Sequence, residues 1–263
     1  MRAALLIAAL ALAGCPAGLE EQSHISKLRV LAVRADPPEL ILDPDAGLPS
    51  TTLTALAVTP AGEAESVRFS LCTEISTAPS PTLPCPGDAG IDLPDAGPLA
   101  ARLDLSDPRI LELAASVQFD AGPVIPALDQ GVPLLVGFSA RSGDEQLDGF
   151  ETITLRTPAR SPPDFNPQLT DLQIDAVSAG KKVRLQPITA PKDDPSKRYL
   201  FSFFATAGSI SSLHSTDTTA SGGSAPTWVE WTAPDAPQQV RLWVVVRDGR
   251  GGTDWLERSV QVR

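Results

Sequence analysis

Histidine is nearly absent from this chain: His24 and His214 are the only two in 263 residues. With three cysteines besides, the sequence is too poor in nitrogen and sulfur ligands for a zinc site. A serine triad would have to take its base from His214, in the polar run SISSLHSTDTTASGGS. Ser212, Ser215 and Asp217 are neighbours there, but neighbours in sequence are not a triad, and no G-x-S-x-G elbow exists. His214 therefore reads as a loop residue and His24 as a linker residue. A P-loop, a dinucleotide fingerprint and an HExxH helix are all missing, so no cofactor and no catalytic residue is expected. Also missing is any apolar run near the roughly 20 residues a membrane-spanning helix needs. Positive charge is short as well: the net charge is −11. The deficit is uneven, with 21 acidic and 8 basic residues between Pro16 and Thr157 against 11 acidic and 12 basic from Pro158 onward. An acidic first half repels phosphate, which excludes nucleic acid as a partner class.

What the chain has in quantity is punctuation. Its 26 prolines and 19 glycines suit short strands and many turns rather than long helices, and 42% hydrophobic residues are enough for a packed core. Strand-like stretches in the first half are Leu28–Ala35, Thr51–Thr59, Ser66–Cys72, Leu99–Leu105, Pro133–Ala140 and Phe150–Thr157. Leu111–Phe119 is open between strand and short helix. TPARSPPDFNP, with four prolines, is the best boundary and reads as a semi-rigid linker. Beyond it come Leu169–Asp175, Lys182–Ile188, Tyr199–Thr206, Thr227–Thr232, Val240–Arg247 and Trp255–Val262. Six short strands in about 100 residues predict a sandwich. The expected fold class is all-β, with two tandem β-sandwich domains at 27–157 and 168–263 joined by a linker at 158–167. Asp-Ala-Gly tripeptides at Asp45, Asp88, Asp95 and Asp120 invite a calcium reading, but their spacing matches no calcium loop and favours turns.

At the N-terminus, Arg2 precedes an apolar run of 11 residues, Ala3–Ala13, which is the size of a signal-peptide core. The run ends in Leu12-Ala13-Gly14-Cys15, which resembles the lipobox of bacterial lipoprotein precursors. That resemblance implies a signal peptide at 1–14, a diacylglycerol thioether on Cys15, and a tether at 15–26. It implies a protein held by lipid to the inner or outer membrane of a cell envelope. Cys72 and Cys85 are then left as an even pair, suited to one disulfide in an oxidising compartment.

A second resemblance lies in WVEWTAPDAPQQVRLWVVVRDGRGGTDWLERSVQV, which is similar to the closing strands of immunoglobulin-like or PKD-like domains. It implies an apolar strand, an Asp-Gly-rich hairpin and a last alternating strand. Val240, Leu242, Val244 and Val246 would face the core, and Asp248–Gly252 would reverse the chain. Trp243 and Trp255 would then share the outer face of this hairpin, either as a platform for a sugar ring or partner, or packed against the first domain. The leading expectation is a non-enzymatic binding or scaffolding role in the envelope, with an envelope protein or glycan as partner. Two alternatives are a carbohydrate- or peptidoglycan-binding module using the Trp hairpin, and a hydrolase with an acidic site in the first domain.

Overall fold

A computed structural model of the chain describes residues 21–72, 85, 90–116, 128–159 and 162–263. The fold is all-β. Period-two alternation sets each strand's two faces, and four sheets result among the described residues. In the first half β1 (Arg29–Asp36), β3 (Ser50–Thr59), β8 (Ala100–Asp104) and β7 (Asp95–Gly97) run side by side, with β4 (Gly62–Glu63) returning on β3. The facing sheet has the order β2 (Glu39–Ile41), β10 (Glu145–Arg156), β9 (Val132–Ser142), β5 (Ser66–Cys72), β6 (Gly90–Asp92). Leu53, Ala55 and Ala57 of β3 meet Val67, Phe69, Val136 and Phe138 in one core between these sheets. The open segment at Leu111–Phe119 is helical over its described part, α1 (Pro108–Ser116).

The second half repeats the plan. One sheet has the order β11 (Leu169–Ile174), β12 (Lys182–Thr189), β16 (Val229–Thr232), β14 (Ser209–Ile210). The other has the order β15 (His214–Thr216), β13 (Leu200–Ala205), β17 (Gln239–Arg247), β18 (Thr253–Gln261). Val183, Leu185, Trp231, Phe203, Leu242 and Val244 fill the space between them. In both halves the strand order is immunoglobulin-like. β1, β3, β8 and β7 occupy the A, B, E and D places, and β5, β9 and β10 the C, F and G places; β11, β12 and β16 face β13, β17 and β18 in the same way. The turn Asp248–Gly252 reverses the chain as its composition predicts, with positive φ at Gly249 (74°) and Gly251 (100°).

Cys72 and Cys85 form a disulfide with Cα atoms 5.1 Å apart. It closes a loop with a sequence separation of 13. We predict that reduction lowers the unfolding free energy by about 3 kcal/mol. Urea titration with and without reductant checks this, and coincident curves would refute it.

Two linking segments differ from their sequence reading. Ser23 and Ile25, which fall inside the segment expected as a tether, are buried and pair with β13. Ile25 N–H donates to Ala205 O at 2.9 Å, and Ala205 N–H donates to Ser23 O at 2.9 Å. An apolar Ile25 beside an unpaired strand end is the physical cause. The proline-rich boundary, read as a semi-rigid linker, is held by both halves through Asp164 and Asn166, as described below.

Candidate functional site

The strand β17 reads Gln-Val-Arg-Leu-Trp-Val-Val-Val-Arg, and Leu242, Trp243, Val244, Val245 and Val246 are all buried. Even-numbered positions enter the second core; the odd positions Trp243 and Val245 turn the other way. There they join Phe204, Leu31, Ala32, Leu56, Val58 and Ile25 in a third apolar cluster, which lies between the two sandwiches. The outer face of β1 and β3 thus packs on the outer face of β13 and β17. Trp243 is only 1% exposed, and its Nε1–H donates to Glu257 Oε2 at 3.1 Å. Trp255 is half-buried beside it, with the Arg34 guanidinium 4.8 Å from its ring centre. Of the two expectations for Trp243 and Trp255, a platform or packing against the first domain, the structure shows the second: Trp243 is buried against the neighbouring sandwich and Trp255 partly so. A run apolar on both faces is the mark of a strand covered on both sides, and LWVVV carries that signal.

Polar groups complete the joint. Lys197, on the loop before β13, is fully buried as a side chain. Its Nζ donates to Phe165 O at 2.8 Å and Asp193 Oδ2 at 3.0 Å, lies 3.1 Å from Asp248 Oδ2, and pairs with Asp164. One ammonium thereby gathers the interdomain segment, a loop and the β17–β18 hairpin. Burial alone would pull the Lys197 pKa down, but hydrogen bonds and charge from the three carboxylates more than offset it and hold the pKa above its ordinary value. Asp248 Oδ1 accepts from Arg250 N and Gly252 N at 2.8 and 2.9 Å. A side chain at Gly252 would collide with that carboxylate.

Beside this cluster, Arg156 forms a two-pronged pair with Glu39 at 2.7 and 2.6 Å, and Glu39 also accepts from Asp164 N at 2.8 Å. Burial raises the Glu39 pKa, yet the Arg156 and Asp164 hydrogen bonds outweigh it and the net shift is downward. Asn166 bridges the halves, donating to Ala35 O at 2.8 Å and accepting from Thr253 N at 2.9 Å. Arg34 and Asp254 add an ion pair at 2.8 Å, and Arg247 donates to Leu31 O at 2.7 Å.

The first-half carboxylates do not gather as an acidic catalytic site requires among the described residues. Glu39, Asp104 and Asp107 are shifted down by their partners; only Glu151 is shifted up, by burial. His214 Nδ1 lies 3.0 Å from Ser202 Oγ, but Ser202 is 1% exposed, which leaves a substrate no approach to the hydroxyl. Among the described residues no three His, Cys, Asp or Glu side chains cluster to hold a metal. Asp45 and Asp95 lie in a turn and a short strand, while Asp88 and Asp120, like Cys15 and the whole 1–14 segment, fall outside the described residues.

The chain is thus, by fold, a pair of immunoglobulin-like sandwiches fused side against side. No protein-family model matches it, and no curated protein matches it. Among solved structures, the D0–D1 domains of intimin align at 14% identity over 89% of this chain and 98% of that one, with a TM-score of 0.27. The Yersinia pseudotuberculosis adhesin InvE aligns at 12% identity over 90% and 60%, with a TM-score of 0.27. The Bacteroides ovatus mixed-linkage glucan utilization protein SGBP-B aligns at 11% identity over 94% and 48%, with a TM-score of 0.23. The fold is defined by the strand order of the chain's own sheets.

Acid should weaken the fold. Glu39, Asp193 and Asp194 all have folded pKa values below their ordinary ones, Asp194 lowered to about 2 by hydrogen bonds from Ser196 and then Arg250. A depressed carboxylate contributes stability that is complete above its unfolded pKa and lost as pH falls through the folded one. Glu151 has the opposite sign, since its raised pKa makes ionisation unfavourable to folding. We predict a fall in melting temperature between roughly pH 4.5 and 2, and a higher melting temperature at pH 7 for Glu151→Gln. Thermal melts across this range check both; a flat profile or a less stable Glu151→Gln protein would contradict them.

Proposed function

We propose that this chain is a lipid-anchored envelope protein whose two sandwiches act as one rigid, non-catalytic binding or scaffolding unit. The observation that carries the reading is the fused joint. Lys197, the Glu39–Arg156 pair and the Trp243 cluster occupy the groups between the halves in holding them together, which fixes the relation of two distant surfaces. A scaffold needs such fixity, because a presented surface binds with less ordering cost when its geometry is set beforehand.

Anchoring at Cys15 gives the docked segment a further role. Only Pro16–Gln22 lie between that thiol and the paired Ser23, so the spacer spans at most about 25 Å. The body is then held close over the bilayer, with the Ala205 end of β13 nearest the anchor.

The test is expression of the full chain with Cys15 intact and as Cys15→Ala, followed by detergent phase partitioning, intact mass and in-cell cross-linking. The expected result is a mature chain beginning at Cys15 and carrying acyl chains, membrane partition lost in Cys15→Ala, and reproducible cross-links to an envelope component. An unacylated chain retaining residues 1–14 would overturn the anchoring, and a chain with no cross-links beyond itself would overturn the binding role.

A further inference from the structure

The sheet β11–β12–β16 turns its outer face away from the first sandwich, and this face has no use in the core or the joint. Its side chains follow from the alternation: Val183, Leu185 and Val229 enter the core, and Arg184, Gln186 and Glu230 stand outside. Gln173 on β11 and Gln186 on β12 are direct cross-strand partners. Both are exposed, and neither side-chain amide is hydrogen-bonded to another described residue. Together the pair presents amide donors and acceptors in adjacent positions with nothing to receive them.

Aromatic surface lies beside them. Trp228 immediately precedes Val229, the partner of Leu185, and so extends the outer row next to Gln186. Its ring is braced by the Arg184 guanidinium, whose carbon is 4.3 Å from the ring centre. On the other side Arg258 reaches round from β18, donating to Leu172 O at 2.6 Å and pairing with Asp171 at 2.8 Å. Asp171, Gln173, Asp175, Arg184, Gln186 and Arg258 thereby line a shallow groove of about 490 Å³.

The groove's size falls within the range of roughly 300–1,000 Å³ typical of small-molecule sites. Its lining differs from theirs, being polar where most such sites are apolar, which suits a ligand covered in hydroxyls. Two carboxylates and two guanidinium groups balance, so the lining selects neither an anion nor a cation. A flat ring face beside it offers stacking for the C–H side of a sugar. We propose that this groove binds a neutral oligosaccharide, with Gln173 and Gln186 bonding its hydroxyls, Arg184 positioned by Trp228, and the Asp171–Arg258 pair closing one end. The assignment rests on the binding role proposed above and names its ligand class.

The probes are cellotetraose, chitotetraose, maltotetraose and mannotetraose, with a tetragalacturonate as the charged comparison, each titrated to millimolar concentration into the full chain. The four tryptophan indole N–H resonances are followed by NMR. At least one neutral tetrasaccharide is expected to move the Trp228 resonance in a saturable way while the buried Trp231 and Trp243 resonances stay in place. The double variant Gln173→Ala/Gln186→Ala should weaken that titration by at least about tenfold with an unchanged melting temperature, since both side chains are exposed. No neutral probe moving Trp228, a response to tetragalacturonate alone, or full retention by the double variant would overturn the assignment. The envelope cross-linking above is independent of these probes, so the broader binding role and this groove fail separately.

Discussion

Replacing Lys197 by methionine is expected to lower the unfolding free energy by about 3–5 kcal/mol, the range for breaking a buried pair by removing one partner. The packing volume of the stem is largely kept, so the loss comes from charge. Asp164, Asp193 and Asp248 would then face one another without the ammonium that now lies among them. Asp248, whose side chain is fully buried, would be left unpaired beside the partly buried Asp164, and it cannot regain water without opening the joint. A second substitution, Asp248→Asn on the Lys197→Met background, removes one repelling charge and should recover part of the loss. Urea unfolding of the single and double variants measures both. A single-variant loss under about 1 kcal/mol, the scale of an exposed ion pair, would show that Lys197 is not the clasp its burial indicates.

Trp243→Ala is expected to cost about 3–5 kcal/mol, as for other large aromatic truncations in a packed interior. The substitution empties the space among Leu31, Leu56, Phe204 and Val245 and leaves Glu257 without its indole donor. Its consequence is specific to the joint. Each sandwich keeps its own core, because Trp243 belongs to neither of those two clusters. The wild-type chain should therefore melt as one cooperative unit and the variant as two overlapping transitions. Differential scanning calorimetry distinguishes them, and a single transition at the wild-type temperature would refute the prediction.

The strands themselves were legible because period-two alternation is written locally. Val67, Phe69 and Leu71 mark β5 on any reading, and Val240, Leu242, Val244 and Val246 mark the inward face of β17. The short strands β2, β4, β6, β7, β14 and β15 were not read, the last of them taken as a loop around His214, since two or three residues carry no period and form only where a longer neighbour offers an edge. The disulfide was legible as a pair of cysteines left over from a third. Its geometry came from Cys85 lying beside Ser70 of β5.

The sequence left the tryptophans between two readings for a physical reason: parity says that Trp243 points away from its own core, and it does. Parity is silent on what stands opposite, and the first sandwich stands there. The tetrad around Lys197 was invisible for a similar reason. Asp164, Asp193, Lys197 and Asp248 are scattered over some eighty residues, and no spacing rule links them. Likewise Gln173 and Gln186 lie thirteen positions apart and meet only because an antiparallel turn brings them into register.

By itself, the amino-acid order determined that this chain is all-β, that its two halves are each sandwich-sized, and that it is poor in histidine and cysteine. These follow from short-range alternation, turn residues and inventory, all of which can be counted along one dimension. Tertiary structure alone decided that the halves fuse side against side and that Trp243 serves the joint. It also decided that one buried ammonium gathers three distant carboxylates, and that a polar groove is left facing outward. Those outcomes depend on which surfaces meet, and a surface's partner is chosen by shape and charge in three dimensions, where sequence distance has no meaning.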